Sequence, residues 1–311
     1  MSAIAFDNVS KRYGPVSALS GVTFSIERGE MFGLIGPDGA GKTTSIRALC
    51  GLLHIDSGTI RVLDKDPITQ HRDITGTVGY LSQRFSLYGD LSIDENIAFF
   101  AEIHGVTDYK DRRDRLLQMT QLTPFRTRLA DQLSGGMKQK LALACTLVHE
   151  PQVIVLDEPT TGVDPVSRRE FWKLLSQFLS QGITILMSTP YLDEAERCTR
   201  IALLHEGRVL ALDTPASLRR QLAGSLFEVI VDDPRAAVDA LTDAQGLASV
   251  QVFGDRLHVW LHDNNPEAAR RQLDADISLT KVPHRGIRLI VPSLEDVFIS
   301  RLANAQKAPV S

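Results

Sequence analysis

Residues 31–35, MFGLI, form a short apolar run that gives way at once to GPDGAGKTT and then to SIRALCGLL, where Ile46, Leu49 and Leu53 recur at helical spacing. A buried strand, a glycine-rich loop and a helix in immediate succession leave few architectures open. Further runs make the choice narrower. A helix from Ser134 towards His149 is broken by Pro151, and residues 153–156, VIVL, then read as a fully apolar strand ending in Asp157-Glu158-Pro159. Asp164-Pro165 starts the next helix, with a capping side chain and Pro at the first helical position; it reaches about Leu179, and Gly182 closes it before another apolar strand at 183–187. Apolar strands joined by a helix predict a parallel α/β core. Residues 201–204 and 208–212 flank a Glu206-Gly207 turn and predict a hairpin. Between these parts, the Ser92-to-Glu95 capping box ahead of Ile97, Phe99, Phe100 and Ile103 predicts a helical middle third.

With 311 residues the chain has room for two domains at roughly 100 to 200 residues each. The texture changes after about Ala223. A strand at 226–231, a helix at 234–241, a two-stranded stretch, a helix at 266–273 and a strand near 277–282 give a β-α-β-β-α-β order, which suits a small split-βαβ domain. The expected division is therefore 1–223 and 224–311, an α/β domain followed by a small α+β domain. No repeat or low-complexity stretch disturbs this reading.

Lys and Arg number 34 against 38 Asp and Glu, so the formal charge is −4 and nucleic acid is not an expected partner. Cys50, Cys145 and Cys198 lie far apart with no metal-ligand spacing, which predicts buried apolar thiols in a reducing compartment. No apolar run reaches the roughly 18 to 20 residues of a membrane helix, and the first residues lack signal-peptide order, so any membrane role is expected to come through a partner.

Gly36-Pro37-Asp38-Gly39-Ala40-Gly41-Lys42-Thr43 matches GxxxxGK[ST], and Thr44 follows. Small residues there let backbone N–H groups wrap a polyphosphate, the helix start adds partial positive charge, and Lys42 adds a full one. Thr43 would place a hydroxyl on Mg²⁺, and Asp157 at a strand end is placed to hold that ion. Glu158, next in the chain, is the general-base candidate for a water attacking the terminal phosphate. Leu133-Ser134-Gly135-Gly136-Met137 opens a helix with a Ser cap and two glycines, either a second anion-binding turn or simply a helix start.

GPDGAGKTT, YLSQ ending at Gln83, LSGGM and VIVLDEPTTGVD occur in the order found in ATP-binding cassette (ABC) ATPases, which the chain resembles over roughly residues 4 to 220. The resemblance implies a P-loop NTPase cassette with a mostly parallel sheet core, a helical subdomain and an antiparallel β portion. It implies MgATP as substrate and a head-to-tail dimer, with a second copy or a different cassette. In that dimer Ser134, Gly135, Gly136 and Met137 of one subunit close over ATP held by the other. It further implies that Tyr13 stacks on adenine, that Gln83 senses Mg²⁺ and touches a membrane subunit, and that Asp164 contacts the dimer partner. The stretch from Tyr191 to Cys198 and the tail PSLEDVF at 292–298 resemble the drug-exporter ATPases related to daunorubicin resistance. That implies ATP-driven export through separately encoded permeases, at the cytoplasmic face of the membrane.

Two positions depart from the family pattern. Met137 stands where Gln is usual, a change that a flexible side chain should tolerate because Ser134 and the glycines make the phosphate contacts. Pro190 stands where the family has a histidine that touches the terminal phosphate. One reading is structural, with Thr189 capping the helix at 191–198 and Pro190 in its first position. The other is a slow site, since losing one donor to a developing oxyanion costs about 10² to 10³ in rate. The competing function is accordingly a weakly hydrolysing switch subunit beside a more active cassette. Cassette ATPases of ribosomes or DNA fit less well, because this chain has one cassette, no heptads and no basic excess.

Overall fold

The computed structural model describes residues 2–83, 87–241, 247–280 and 283–307, with backbone alone for 304–307. The chain divides into two compact units, Met1–Pro215 and Ala216–Ser311.

In the first unit, β1 (Ser2–Tyr13) and β2 (Val16–Glu27) pair antiparallel. They lead to β3 (Met31–Ile35), every residue of which is buried. The elements that follow are α1 (Lys42–Leu49), β4 (Ser57–Val62), α2 (His71–Thr75), β5 (Val78–Leu81), α3 (Ile93–Ile103), α4 (Lys110–Thr120), α5 (Gly135–Leu147), β6 (Val153–Asp157), α6 (Pro165–Ser180), β7 (Thr184–Thr189), α7 (Leu192–Ala195), β8 (Arg200–His205) and β9 (Arg208–Asp213). A six-stranded sheet runs β5-β6-β7-β3-β8-β9, parallel except for the β8–β9 hairpin. β3 and β6 flank β7, so the parallel arrangement brings the carboxyl ends of all three to one edge, where open α/β sheets place ligands. A three-stranded antiparallel sheet, β2-β1-β4, shares the core with β3 through a stack of Phe6 on Phe24 (4.4 Å) and Phe24 on Phe32 (5.4 Å).

The helical middle third is present. Ser92 and Glu95 form the reciprocal cap on α3 that their spacing predicts. Leu53 falls outside α1, which ends at Leu49, but still packs against the same core. All three cysteines are free and buried, and burial pushes the Cys50 thiol up to about 12, with the charge of Asp157 adding to the effect.

The second unit contains β10 (Ser225–Val231), α9 (Pro234–Leu241), β11 (Leu247–Phe253), β12 (Arg256–Leu261), α10 (Pro266–Thr280), β13 (His284–Leu289) and α11 (Leu294–Lys307), with the short α8 (Pro215–Arg220) ahead of them. The sheet order β11-β12-β10-β13, antiparallel throughout, gives the split arrangement expected from the β-α-β-β-α-β order. One element is displaced. The strand expected near 277–282 is helix as far as Thr280, residues 281 and 282 lie outside the described residues, and the last strand begins at His284. Ala269, Leu273 and Ile277 share one helical face against Phe227, Val229 and Val259, and that burial overrides the strand preference of Ile277 and Thr280. The tail motif PSLEDVF is the start of α11. Ser293 and Asp296 cap each other's backbone N–H, and the second Asp296 oxygen lies 2.8 Å from His258 Nδ1.

Candidate nucleotide site

Two positions in the loop between β3 and α1 have no room for a side chain. A Cβ on Gly36 would stand 2.3 Å from the Leu204 carbonyl oxygen, and one on Gly41 would stand 2.6 Å from that of Ala18. Gly41 also has φ 105°, a left-handed conformation that glycine adopts without strain, and it opens α1 with no side-chain cap. The N–H groups of the first turn therefore have no side-chain acceptor and carry the positive end of the helix dipole. The tip of the β8–β9 hairpin braces the loop, since Gly207 N–H donates to the Ala40 carbonyl at 3.0 Å.

Lys42 is 4% exposed and folds across this loop. Its Nζ donates to the carbonyls of Gly36 (2.8 Å) and Pro37 (3.1 Å) and lies 3.1 Å from Glu158 Oε1. Parallel pairing of β6 with β7 sets Asp157 opposite Ser188, and the Ser188 hydroxyl donates to Asp157 Oδ1 at 2.6 Å. Thr43 Oγ1 donates to the same oxygen at 3.2 Å, which ties α1 to the end of β6. Glu158 then turns through a left-handed φ of 50°, uncommon for a residue with a Cβ. Its N–H donates to the Ser188 carbonyl (3.2 Å) and hydroxyl (3.0 Å), while Gln83 Nε2 donates to its Oε2 at 3.1 Å.

The structure thus joins residues 36–43, Gln83, Asp157 and Glu158 in one cluster, and Thr44 follows on the first turn of α1. The other predicted residues lie elsewhere. Tyr13 is 47% exposed at the end of β1, with Lys11 Nζ 5.7 Å from its ring centre. Ser134 caps α5 by accepting from the Met137 N–H at 3.3 Å, Gly135 is exposed, and Gly136 backs onto Ser167 of α6. Asp164 caps α6 by accepting from the N–H groups of Val166 and Ser167, both at 3.0 Å. Hydrogen bonds from Ser167 hold its carboxyl below the usual carboxylate range.

The structural reading of Pro190 needs correction. The helix starts at Leu192 with Tyr191 as its N-cap, so Pro190 stands ahead of the cap and not in the first helical position. Thr189 does take part, because its hydroxyl accepts from the Tyr191 N–H at 3.1 Å, but it organises the approach to the helix and does not cap it. Sequence reasoning also missed two residues of the site. Ser188 shows only once the β6–β7 register is known. Glu194 is a buried carboxylate inside the quoted 191–198 motif, and an acid on the inward face of a four-residue helix is the signal that pointed to it.

A glycine-rich loop feeding an uncapped helix, a buried lysine laid over it, and a hydroxyl with an aspartate at the neighbouring strand end define a nucleoside-triphosphate site of the P-loop class. The ABC transporter family model matches residues 19–161. The chain is 36% identical over 302 residues to the Nod factor export ATP-binding protein I of Paraburkholderia xenovorans, a match covering 96% of both chains. It is 38% identical over 312 residues to the probable multidrug ABC transporter ATP-binding protein YbhF of Escherichia coli, covering 98% of this chain but only 53% of that one, about half its length. Among solved structures, an ATP-binding subunit of an ABC transporter aligns with TM-score 0.65 and 31% identity over 71% of this chain and 93% of the other. A dimeric post-hydrolysis state of the cassette MJ0796, bound to ADP and Pi, aligns with TM-score 0.60 and 27% identity over 68% and 98%. The chain belongs to the ABC transporter ATP-binding proteins, a family of cassette ATPases.

Proposed function

We propose that this chain binds and hydrolyses MgATP to drive an ABC exporter, acting through permease subunits at the cytoplasmic face of a membrane. The observation that carries the reading is Lys42, nearly inaccessible and bonded to the Gly36 and Pro37 carbonyls beside Glu158. That ammonium is paired with the Glu158 carboxylate, and it stands beside the uncapped first turn of α1, where backbone N–H groups and the lysine together can take a polyphosphate. The relatives' printed names, Nod factor export and multidrug transport, support export as the direction. Among the described residues no helix is long and apolar enough to cross a membrane, so the proposal assigns translocation to separate subunits.

The residue chemistry fits magnesium. Thr43 hydroxyl, Asp157 carboxylate and the Gln83 side chain offer hard oxygens, while no group of three His, Cys, Asp or Glu is gathered among the described residues. Mg²⁺ favours this arrangement, because it keeps several waters and completes its shell with substrate phosphates. When bound, the ion neutralises charge on the terminal phosphates. The protein's own part is to cradle the phosphates with the 36–44 backbone, counter their charge with Lys42, and accept a proton from the attacking water at Glu158. In this reading Tyr13 stacks on adenine. Ser134, Gly135, Gly136 and Met137 close on ATP held by a second cassette, identical or different, and Asp164 meets that partner. The 1–223 segment is then the cassette and 224–311 an accessory domain for dimerisation or regulation. The dimeric ADP- and Pi-bound relative supports such a pairing.

Pro190 favours a second reading, a subunit that binds ATP and hydrolyses it slowly beside a more active cassette, because proline offers no donor at that position. Calorimetric titration with MgATP tests the first claim common to both. Lys42→Ala is expected to lower affinity about ten- to a hundredfold, the loss of roughly 1.5 to 3 kcal/mol from hydrogen bonds to a charged group. Equal heats and affinity in wild type and variant would remove the triphosphate assignment.

A further inference from the structure

Glu158 adopts a backbone conformation that a residue with a side chain enters only when its surroundings hold it there. One side of its turn is held from β7, through the carbonyl and hydroxyl of Ser188. On the other side, two residues on, the buried Thr160 donates its hydroxyl to Glu194 Oε1 at 2.6 Å. Glu194 Oε2 accepts from the Thr189 hydroxyl at 2.7 Å, at the end of the strand that supplies Ser188. One carboxylate, 1% exposed, therefore clamps both supports of the Glu158 turn. Arg168 stands 3.6 Å from Glu194 Oε1, with its guanidinium 5.0 Å from the Tyr191 ring centre, so the charge of the clamp is balanced from α6. Of these partners Thr189 touches the phosphate loop through its main chain alone, its carbonyl accepting from the Gly36 N–H at 3.4 Å, whereas the Thr160 hydroxyl reaches Glu194 without touching residues 36–44.

We infer that Glu194 is a positioning residue for hydrolysis: it fixes where the Glu158 carboxylate stands and leaves the grip on nucleotide to the phosphate loop. The inference rests on the proposed ATPase reading. With no donor at Pro190, alignment of the attacking water depends on the placement of Glu158, and that placement passes through Thr160 and Thr189 to Glu194. A misplacement of about 1 Å by a residue outside the chemistry costs on the order of 10²-fold in rate. Loss of the clamp should therefore reduce kcat and spare KM.

The test compares the full-length wild type with Glu194→Gln, Thr160→Val and Thr160→Ser in steady-state MgATP turnover, equilibrium MgATP binding and thermal melting. Glu194→Gln and Thr160→Val are expected to lower kcat about ten- to a hundredfold with KM and affinity within about twofold of wild type. Thr160→Ser, which keeps the hydroxyl, restores the rate. Unchanged kcat in the folded Glu194→Gln and Thr160→Val proteins overturns the inference. So does a parallel loss of kcat, affinity and melting temperature, which marks a role in the fold only. Should Glu194→Gln fail to fold, the Thr160→Val and Thr160→Ser pair decides alone, because it differs by one hydroxyl. A wild type that binds MgATP without turning it over overturns the hydrolytic reading, and this inference falls with it. A wild type that turns over at the same rate as the variants overturns the inference alone.

Discussion

α1 and α5 both begin in glycine-rich turns, and they are built to opposite ends. The glycines before α1 press against the main-chain carbonyls of Leu204 and Ala18, and its first turn has no side-chain cap. Before α5, Gly135 has nothing within 4 Å of where a Cβ would be, Gly136 faces side chains, Ser167 at 2.2 Å and Asp164 at 3.8 Å, and Ser134 caps the turn. The charges differ as well. Lys42 is turned onto its own loop, whereas Lys138 and Lys140 pair with Asp131 and Glu170, away from the turn. The first helix start is a pocket completed by its own chain. The second is a stable, outward-facing edge, the form suited to a surface that acts on a ligand held elsewhere.

The largest effect that bears on this contrast is expected at Glu158, the acid gathered onto the α1 pocket. Glu158→Gln removes the proton acceptor but leaves the loop and Lys42 in place, so turnover should fall by about 10² to 10⁴ while MgATP binding persists. Single-turnover measurement of phosphate release checks it, and a wild-type rate in the variant would take general-base chemistry away from this pocket. Pro190→His comes next. Because Pro190 stands ahead of the Tyr191 cap, a histidine there disturbs no helical hydrogen bond, and its added donor is expected to raise turnover by about ten- to a hundredfold, within the range one oxyanion donor supplies. An unchanged rate would show that the position serves only as the approach to α7.

The α1 pocket was readable from sequence because its parts are local: β3, the loop and α1 are contiguous, and the strand before Asp157 announces itself by continuous burial. The α3, α5 and α6 caps were readable for the same reason, since each joins residues two or three apart. What escaped is non-local. Ser188 reaches Asp157 across 31 positions and Glu194 reaches Thr160 across 34, contacts that exist only through the strand order. The brace from Gly207 to Ala40 spans the chain in the same way. The place of Pro190 was misjudged because its local sequence suits a first helical position, yet the Thr189 hydroxyl binds the Tyr191 N–H and delays the helix by two residues. In the second unit the element order followed from alternation and turns, whereas the extension of α10 to Thr280 depended on a core that propensity does not reveal.

The two sets of glycines allow a direct comparison. Gly36→Ala drives a methyl against a backbone oxygen that the β8 ladder holds, and overpacking of that kind costs about 1 to 3 kcal/mol and displaces the loop. Gly136→Ala brings a methyl to 2.2 Å from Ser167 Oγ and 2.5 Å from Ser167 Cβ. Rotation moves the hydroxyl but not the Cβ, so α5 and α6 must part and stability falls by a similar amount, while nucleotide affinity should stay at the wild-type value because the clash lies outside the α1 pocket. Denaturant unfolding of the two variants, with MgATP titration of each, reads the difference. Equal losses of MgATP affinity at both positions would mean that the two turns are not built differently.

The smallest expected effect belongs to Ser134, and it separates the cap from any action across a dimer. In a single chain the Ser134 hydroxyl does one visible thing, accepting from the Met137 N–H, so Ser134→Ala should cost about 1 kcal/mol and lower the melting temperature by about 2 to 4 °C. Binding of MgATP to the isolated chain should not change, because the α1 pocket owes nothing to that hydroxyl. If α5 closes on nucleotide held by a second cassette, the same variant must weaken MgATP-dependent dimerisation beyond what the lost cap explains, and Ser134→Asp, which keeps a capping oxygen but adds a negative charge, must weaken it further while recovering the melting temperature. Dimerisation followed by light scattering with the Glu158→Gln background as reference resolves the two contributions. A dimer that is indifferent to both substitutions would leave Ser134 as a helix cap and nothing more.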